Sequence, residues 1–172
     1  MNLTLLTGGN TSLDLSFFMD DLQEALATID LGEGSPISPI DLDKFVENRL
    51  TGIPVIKNAD ELTLCLKQNT SNLSPKIVFV QLQNVTKNHS GFMDTAAWGE
   101  IFDLKSNKCP LIVAPNGILY VEADSDGICH LKPKSKINTI ILSYETVISF
   151  DFDNRTVYGK IDPLIKVTSG GE

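Results

Sequence analysis

The chain has 172 residues, 42% hydrophobic and 21% charged, with 14 Lys and Arg against 22 Asp and Glu for a formal charge of −8. A chain of this length buries roughly 70% of its unfolded surface, and its composition is that of a globular domain rather than a disordered one. No run approaches the roughly 20 apolar residues of a bilayer-spanning helix. Residues 1–50 hold most of the net negative charge, nine acids against Lys44 and Arg49, and an acidic surface repels a phosphate backbone, which argues against nucleic acid as a partner.

The N-terminal region reads as helical. Leu15, Phe18, Leu22, Leu26 and Ile29 recur at three- and four-residue steps opposite Asp20, Asp21 and Glu24, an amphipathic pattern that Gly32 and Gly34 stop. Ser38 as cap and Pro39 at the first helical position predict a second helix carrying Ile40, Phe45, Val46 and Leu50 as far as Gly52. Asn58 with Glu61 three residues on resembles a capping box and predicts a third, with Leu62, Cys65 and Leu66 as its buried stripe.

From Lys76 the period changes. Ile77, Val78, Phe79, Val80 and Leu82 form a β-branched run typical of a buried strand. Residues 84–98 lack a period and read as a long loop, with one helical turn over 93–98. Strands are expected over 101–104, 111–114, 118–121, 128–131, 137–142, 146–152, 156–161 and 164–167. Turn residues separate them, among them Pro115-Asn116-Gly117, Asp124-Ser125-Asp126-Gly127 and Asp153-Asn154. The alternation at the end of 146–152 turns Ile148, Phe150 and Phe152 to the core and Asp151 and Asp153 to water. The fold class is therefore α+β: an N-terminal helical layer of about three short helices on a C-terminal antiparallel β-sandwich or small barrel. The mainly helical region is 1–75 and the β-rich region 76–172, within one compact domain.

The chemistry-bearing residues are sparse. Cys65, Cys109 and Cys129 have no CxxC spacing and only His89 and His130 for company, so they read as buried hydrophobes in a reducing or redox-indifferent compartment. Thr7-Gly8-Gly9-Asn10-Thr11-Ser12 would cradle a phosphate if it opened a helix, but it lacks the P-loop lysine. Glu122, Asp124 and Asp126 ahead of Gly127 resemble half of a calcium loop, though Pro133 occupies the position of its last ligand. Cys129-His130 with a nearby aspartate is a weak nucleophile–base candidate, because neighbours on a strand point to opposite faces. Asp151, Asp153 and Asp162 are a weak paired-carboxylate candidate.

Seven N-x-Ser/Thr triplets accompany a start that lacks the basic and apolar regions of a signal peptide. The expected compartment is the cytoplasm, or a virion if the chain is viral. No cofactor and no metal are expected. The expected function is that of a non-enzymatic structural or protein-interaction subunit of a larger assembly such as a phage or virus particle. A small hydrolase-like enzyme or a ligand-binding β-barrel is the alternative. Partners are expected to be other protein subunits or further copies of the chain, with neither nucleic acid nor membrane. Their contacts are expected at Phe92, Met93 and Trp98 in the unpatterned loop, which either bury against a partner or cover the chain's own core, and at the basic cluster Lys132, Lys134 and Lys136.

Overall fold

Alternation begins at the N-terminus: in strand β1 (Asn2–Thr7) Leu3 and Leu5 enter the core, while Thr4 on the other face donates to Asp14. The computed structural model describes residues 1–7, 10–29, 31–48, 55–57, 61–67, 73–86, 92–134 and 140–168. Strand β1 pairs with β2 (Asn10–Ser16), the last pair, Thr7 with Asn10, leaving two glycines between the strands, the composition a two-residue hairpin loop favours. On its other side β1 pairs with β6 (Leu62–Lys67), which pairs with β10 (Cys129–Leu131), so the small sheet runs β10-β6-β1-β2.

The large sheet is built around the 13-residue strand β11 (Ile140–Phe152). One edge of β11 pairs with β7 (Lys76–Asn84), and β7 continues to β9 (Leu119–Glu122) and β8 (Leu111–Val113). Its other edge carries β12 (Arg155–Ile161) and β13 (Leu164–Thr168) in succession. Two short strands join in parallel, β4 (Ile40–Asp41) on β12 and β5 (Val55–Lys57) on β13. A further strand, β3 (Leu31–Gly34), lies against β12.

Among the described residues the two helices are α1 (Met19–Thr28) and α2 (Thr95–Ile101). Helix α1 buries Leu22 and Leu26, with Asp20 and Asp21 at its positive end and the Arg155 guanidinium bonded to the Leu26 carbonyl at its negative end. Helix α2 is capped by Asp94, whose carboxylate accepts the Ala97 amide at 2.8 Å, and buries Trp98 and Ile101. Side chains from both sheets and both helices, including Leu3, Leu22, Leu64, Val80, Trp98 and Phe150, form one core cluster. Among the described residues no helix is long and apolar enough to cross a membrane.

The expected helical layer is not present, and the fold is mostly β. Among the described residues only the first of the three expected helices is present, and it starts at Met19 because Leu15 belongs to β2. Over 38–48 the chain forms β4 and a single 3-10 turn, Asp43–Phe45, because Ile40 pairs with Gly159 and the Leu42 amide bonds to the Lys160 carbonyl, and the expected helix beyond 48 lies outside the described residues. The third is strand β6, in which Leu62 and Leu64 are buried by a period of two; the residues at 58–60 lie outside the described set. Ile101 ends α2 and Phe102 caps it, so no strand forms over 101–104, and over 140–152 the two expected strands are one.

The β-rich half otherwise follows the sequence. Asp153 and Asn154 have φ of 51° and 61°, the left-handed pair of a type I′ hairpin. Ile148 and Phe150 are fully buried and Asp151 exposed, as the alternation requires.

Candidate functional site

Cys109, His130 and Asp124 converge with Glu61 and Lys108 where the segment before β8 runs beside β10. The Asn107 side chain holds this place together: its amide donates to the Cys109 and His130 carbonyls at 3.0 and 2.7 Å, and its oxygen accepts the Lys132 amide. The His130 amide donates to the Cys109 sulfur at 3.2 Å, and that thiol points at the Ile128 carbonyl. The His130 ring lies between two carboxylates, Nδ1 at 3.1 Å from Glu61 and Nε2 at 3.6 Å from Asp124. Lys108 closes on Glu61 at 2.8 Å. Its ammonium holds the Glu61 carboxyl below the usual range, against partial desolvation and with His130 assisting. Beside the cluster is an open cleft of about 290 Å³ lined by Glu61, Ser106, Asn107, Lys108 and Lys132.

The charges of this cluster satisfy one another. Burial pushes the Cys109 and Cys129 thiols up, and the Asp124 charge adds to both, so neither is poised as a thiolate. Asp124 does not reach outward with Glu122 and Asp126. One of its oxygens accepts the Asp126 and Ile128 amides and closes the turn, in which Gly127 is left-handed. Among the described residues no group of three or more His, Cys, Asp or Glu is arranged to hold a metal ion. Asp151 and Asp153 line a different cleft, of about 620 Å³, with Asp20, Gln23 and Glu24. Asp162 is not with them; it accepts the Ser143 hydroxyl. The phosphate-loop candidate leads into β2 rather than a helix, and Gly8 and Gly9 lie outside the described residues.

The expected contact residues divide. Trp98 is fully buried, stacked on Phe102, and its indole donates to the Gly117 carbonyl at 2.9 Å. It is therefore part of the core rather than a surface contact. Met93 is half-buried and packs on the β8–β9 turn, where Gly117 has φ of +84° and a Cβ would sit 3.0 Å from the Met93 amide. Phe92 lies against the same turn but stays 67% exposed. Lys132 approaches Asp103 at 3.9 Å, Lys134 is exposed just beyond the edge strand β10, and Lys136 and His89 lie outside the described residues.

A feature the sequence reading passed over is β8 itself. It ends the large sheet, so one of its sides has no neighbouring strand among the described residues. On its paired side the Ala114 amide bonds to Ile118 and the Glu122 amide to Pro110. Bonded pairs alternate along an antiparallel ladder, so Ile112 is bonded to Tyr120 while Leu111 and Val113 turn their N–H and C=O groups to the open side. Ile112 projects from the face away from the core and is 59% exposed. The polar cluster fixes where this strand begins, since Cys109 and Pro110 lead directly into it. No family model, curated protein or solved structure matches the chain.

Proposed function

We propose that the chain is a non-enzymatic protein-interaction subunit that joins a larger assembly through the open edge of its large sheet. The observation that carries this reading is β8, a strand end-on to solvent with unpaired backbone groups at Leu111 and Val113 and an exposed Ile112. Edge strands are ordinarily guarded by charge, because an open row of donors and acceptors is a template for another chain. The far end of this sheet has such a guard in Asp41 on β4, and the edge strand β10 is followed by Lys132 and Lys134. From Cys109 to Pro115, by contrast, there is no charged residue. Pro110 and Pro115 bracket β8 and lack amides, so they limit pairing to a short register, which suits a defined contact better than open-ended aggregation.

Commitment of the polar cluster to internal bonds supports the same reading, because its acids, lysine and imidazole are engaged in placing β8. The test is the mass of the tagged chain recovered from its native cells, wild type against Ile112→Lys. A wild-type chain in a larger species and a variant at monomer mass support the proposal. Identical masses for the two refute it.

A further inference from the structure

Several features fail to carry an inference. The acidic cleft beside α1 holds nothing that points to a ligand, and the His130 cluster is satisfied from within. The β8 edge goes further, because its geometry is self-complementary. Resting on the reading above, we infer that the partner strand at this edge is β8 of a second copy of the chain, paired antiparallel about a two-fold axis at Ile112.

The register follows from the backbone. Leu111 and Val113 are the residues whose N–H and C=O groups face outward. A two-fold through Ile112 sets Leu111 of one copy opposite Val113 of the other, so each pair exchanges both of its bonds and every free group on the strand is used. Ile112 then meets its own copy at a non-hydrogen-bonded position, where Cα atoms approach to about 4.5 Å and side chains are closest. A shift by one residue would put Pro110 or Ala114 into the ladder and leave outward groups unpaired. The same register carries the Asn116–Gly117 turn, with Phe92 against it, toward Lys108 of the second copy.

Electrostatics permits the approach. Each copy carries −8, which opposes association; Glu122 lies one strand in from the edge, its amide bonded to the Pro110 carbonyl, and in the paired sheet it is three strand steps of about 4.8 Å, roughly 14 Å, from its counterpart. Asp41 on β4 is at the opposite end of the sheet order, five strand steps of about 4.8 Å or roughly 24 Å away. Charges that far apart are screened by salt, whose Debye length is about 8 Å under physiological conditions. The strand itself places no charge opposite its own copy.

The experiment is sedimentation equilibrium of the purified chain from micromolar to sub-millimolar concentration, with wild type, Ile112→Lys, Ile112→Glu and an equimolar mixture of the two variants. The wild type is expected to form a dimer. Each variant alone faces like charge across the axis and should dimerise at least about tenfold more weakly. Because residue 112 meets residue 112, the mixture should recover the dimer. A wild-type chain that stays monomeric overturns the inference; if the native-cell species still depends on Ile112, the proposed function survives without it. A dimer indifferent to both charges, or a mixture that does not recover, also overturns it.

Melting temperatures show whether the variants fold. If either is destabilised, Ile112→Cys replaces them, since the expected Cα separation lies within the range a disulfide spans, about 4.4 to 6.8 Å. A 112–112 disulfide mapped by mass spectrometry supports the two-fold register, and its absence under mild oxidation refutes it.

Discussion

Gly159→Ala tests the packing of β4 on β12, the part of the fold furthest from the sequence reading. Gly159 sits on the core face of β12, and a Cβ built there meets three atoms of Leu42, at 2.7, 2.7 and 2.8 Å. Leu42 is fully buried and its amide is tied to the Lys160 carbonyl, so its whole isobutyl group would have to move in a packed interior. Overpacking of this kind costs about 1 to 3 kcal/mol, and replacing a strand glycine by alanine returns about 0.4 to 1 kcal/mol through the unfolded state. The net loss expected is roughly 1 to 2 kcal/mol, or about 2 to 8 °C in melting temperature for a domain of this size. Leu42→Ala alone should lose about 2 to 5 kcal/mol. The double variant should lose less than the sum by about 1 kcal/mol or more, because the new methyl enters the space Leu42 leaves. Urea denaturation of the four proteins measures this coupling. Strict additivity would show that Leu42 does not lie over Gly159.

Phe150→Ala should cost about 3 to 5 kcal/mol and Asp151→Ala almost nothing, since the two point to opposite faces of β11; equal losses in denaturant would mean that the strand phase is inverted. The Tyr144 hydroxyl is buried without a partner among the described residues, so Tyr144→Phe should leave stability unchanged or raise it by up to about 1 kcal/mol, and a clear loss on calorimetry would reveal a bond to that oxygen. Glu61 is held below its unfolded range mainly by Lys108. Its contribution is therefore complete above the unfolded carboxylate range and is lost as pH falls through the lowered folded value. Lys108→Met should move the midpoint of acid unfolding to higher pH, and an unmoved midpoint would remove Glu61 from the account.

The difference between what the sequence yields and what it hides is a difference between local and distant pairing. The hairpin of β11 and β12 is local: its turn residues, Asp153 and Asn154, adopt the left-handed conformations their side chains tolerate, and the alternation from Ile148 to Phe152 has one consistent phase. Strand β6 is not local. Leu62-Thr63-Leu64-Cys65-Leu66 satisfies both a helical period, through 62, 65 and 66, and a period of two, through 62, 64 and 66. Its partners come from β1 and β10, whose paired residues lie up to about two-fifths of the chain away, and they decide the matter in favour of the strand. For the same reason Leu42, absent from the expected helical stripe, is among the most buried residues: β12 covers it, and nothing near it in sequence announces that.

The open edge of the large sheet was hidden in another way. The run Leu111-Ile112-Val113 between two prolines was legible as a strand, but whether a strand is central or terminal depends on sheet order, which composition does not carry. The apolar loop residues were ambiguous for the opposite reason. Trp98 and Phe92 both suggest a surface that needs covering, yet the indole N–H finds the Gly117 carbonyl inside the fold while Phe92 has no such tie and stays outside. Taken with the charge distribution, this places a strand free of charge at one edge of a chain of −8. The net negative charge of residues 1–50 discourages approach between copies through that region, whereas the edge strand sets no charge of its own against its outward donors and acceptors. The acidity that argued against nucleic acid thus bears also on the proposed pairing of two copies, which it leaves to an edge outside residues 1–50.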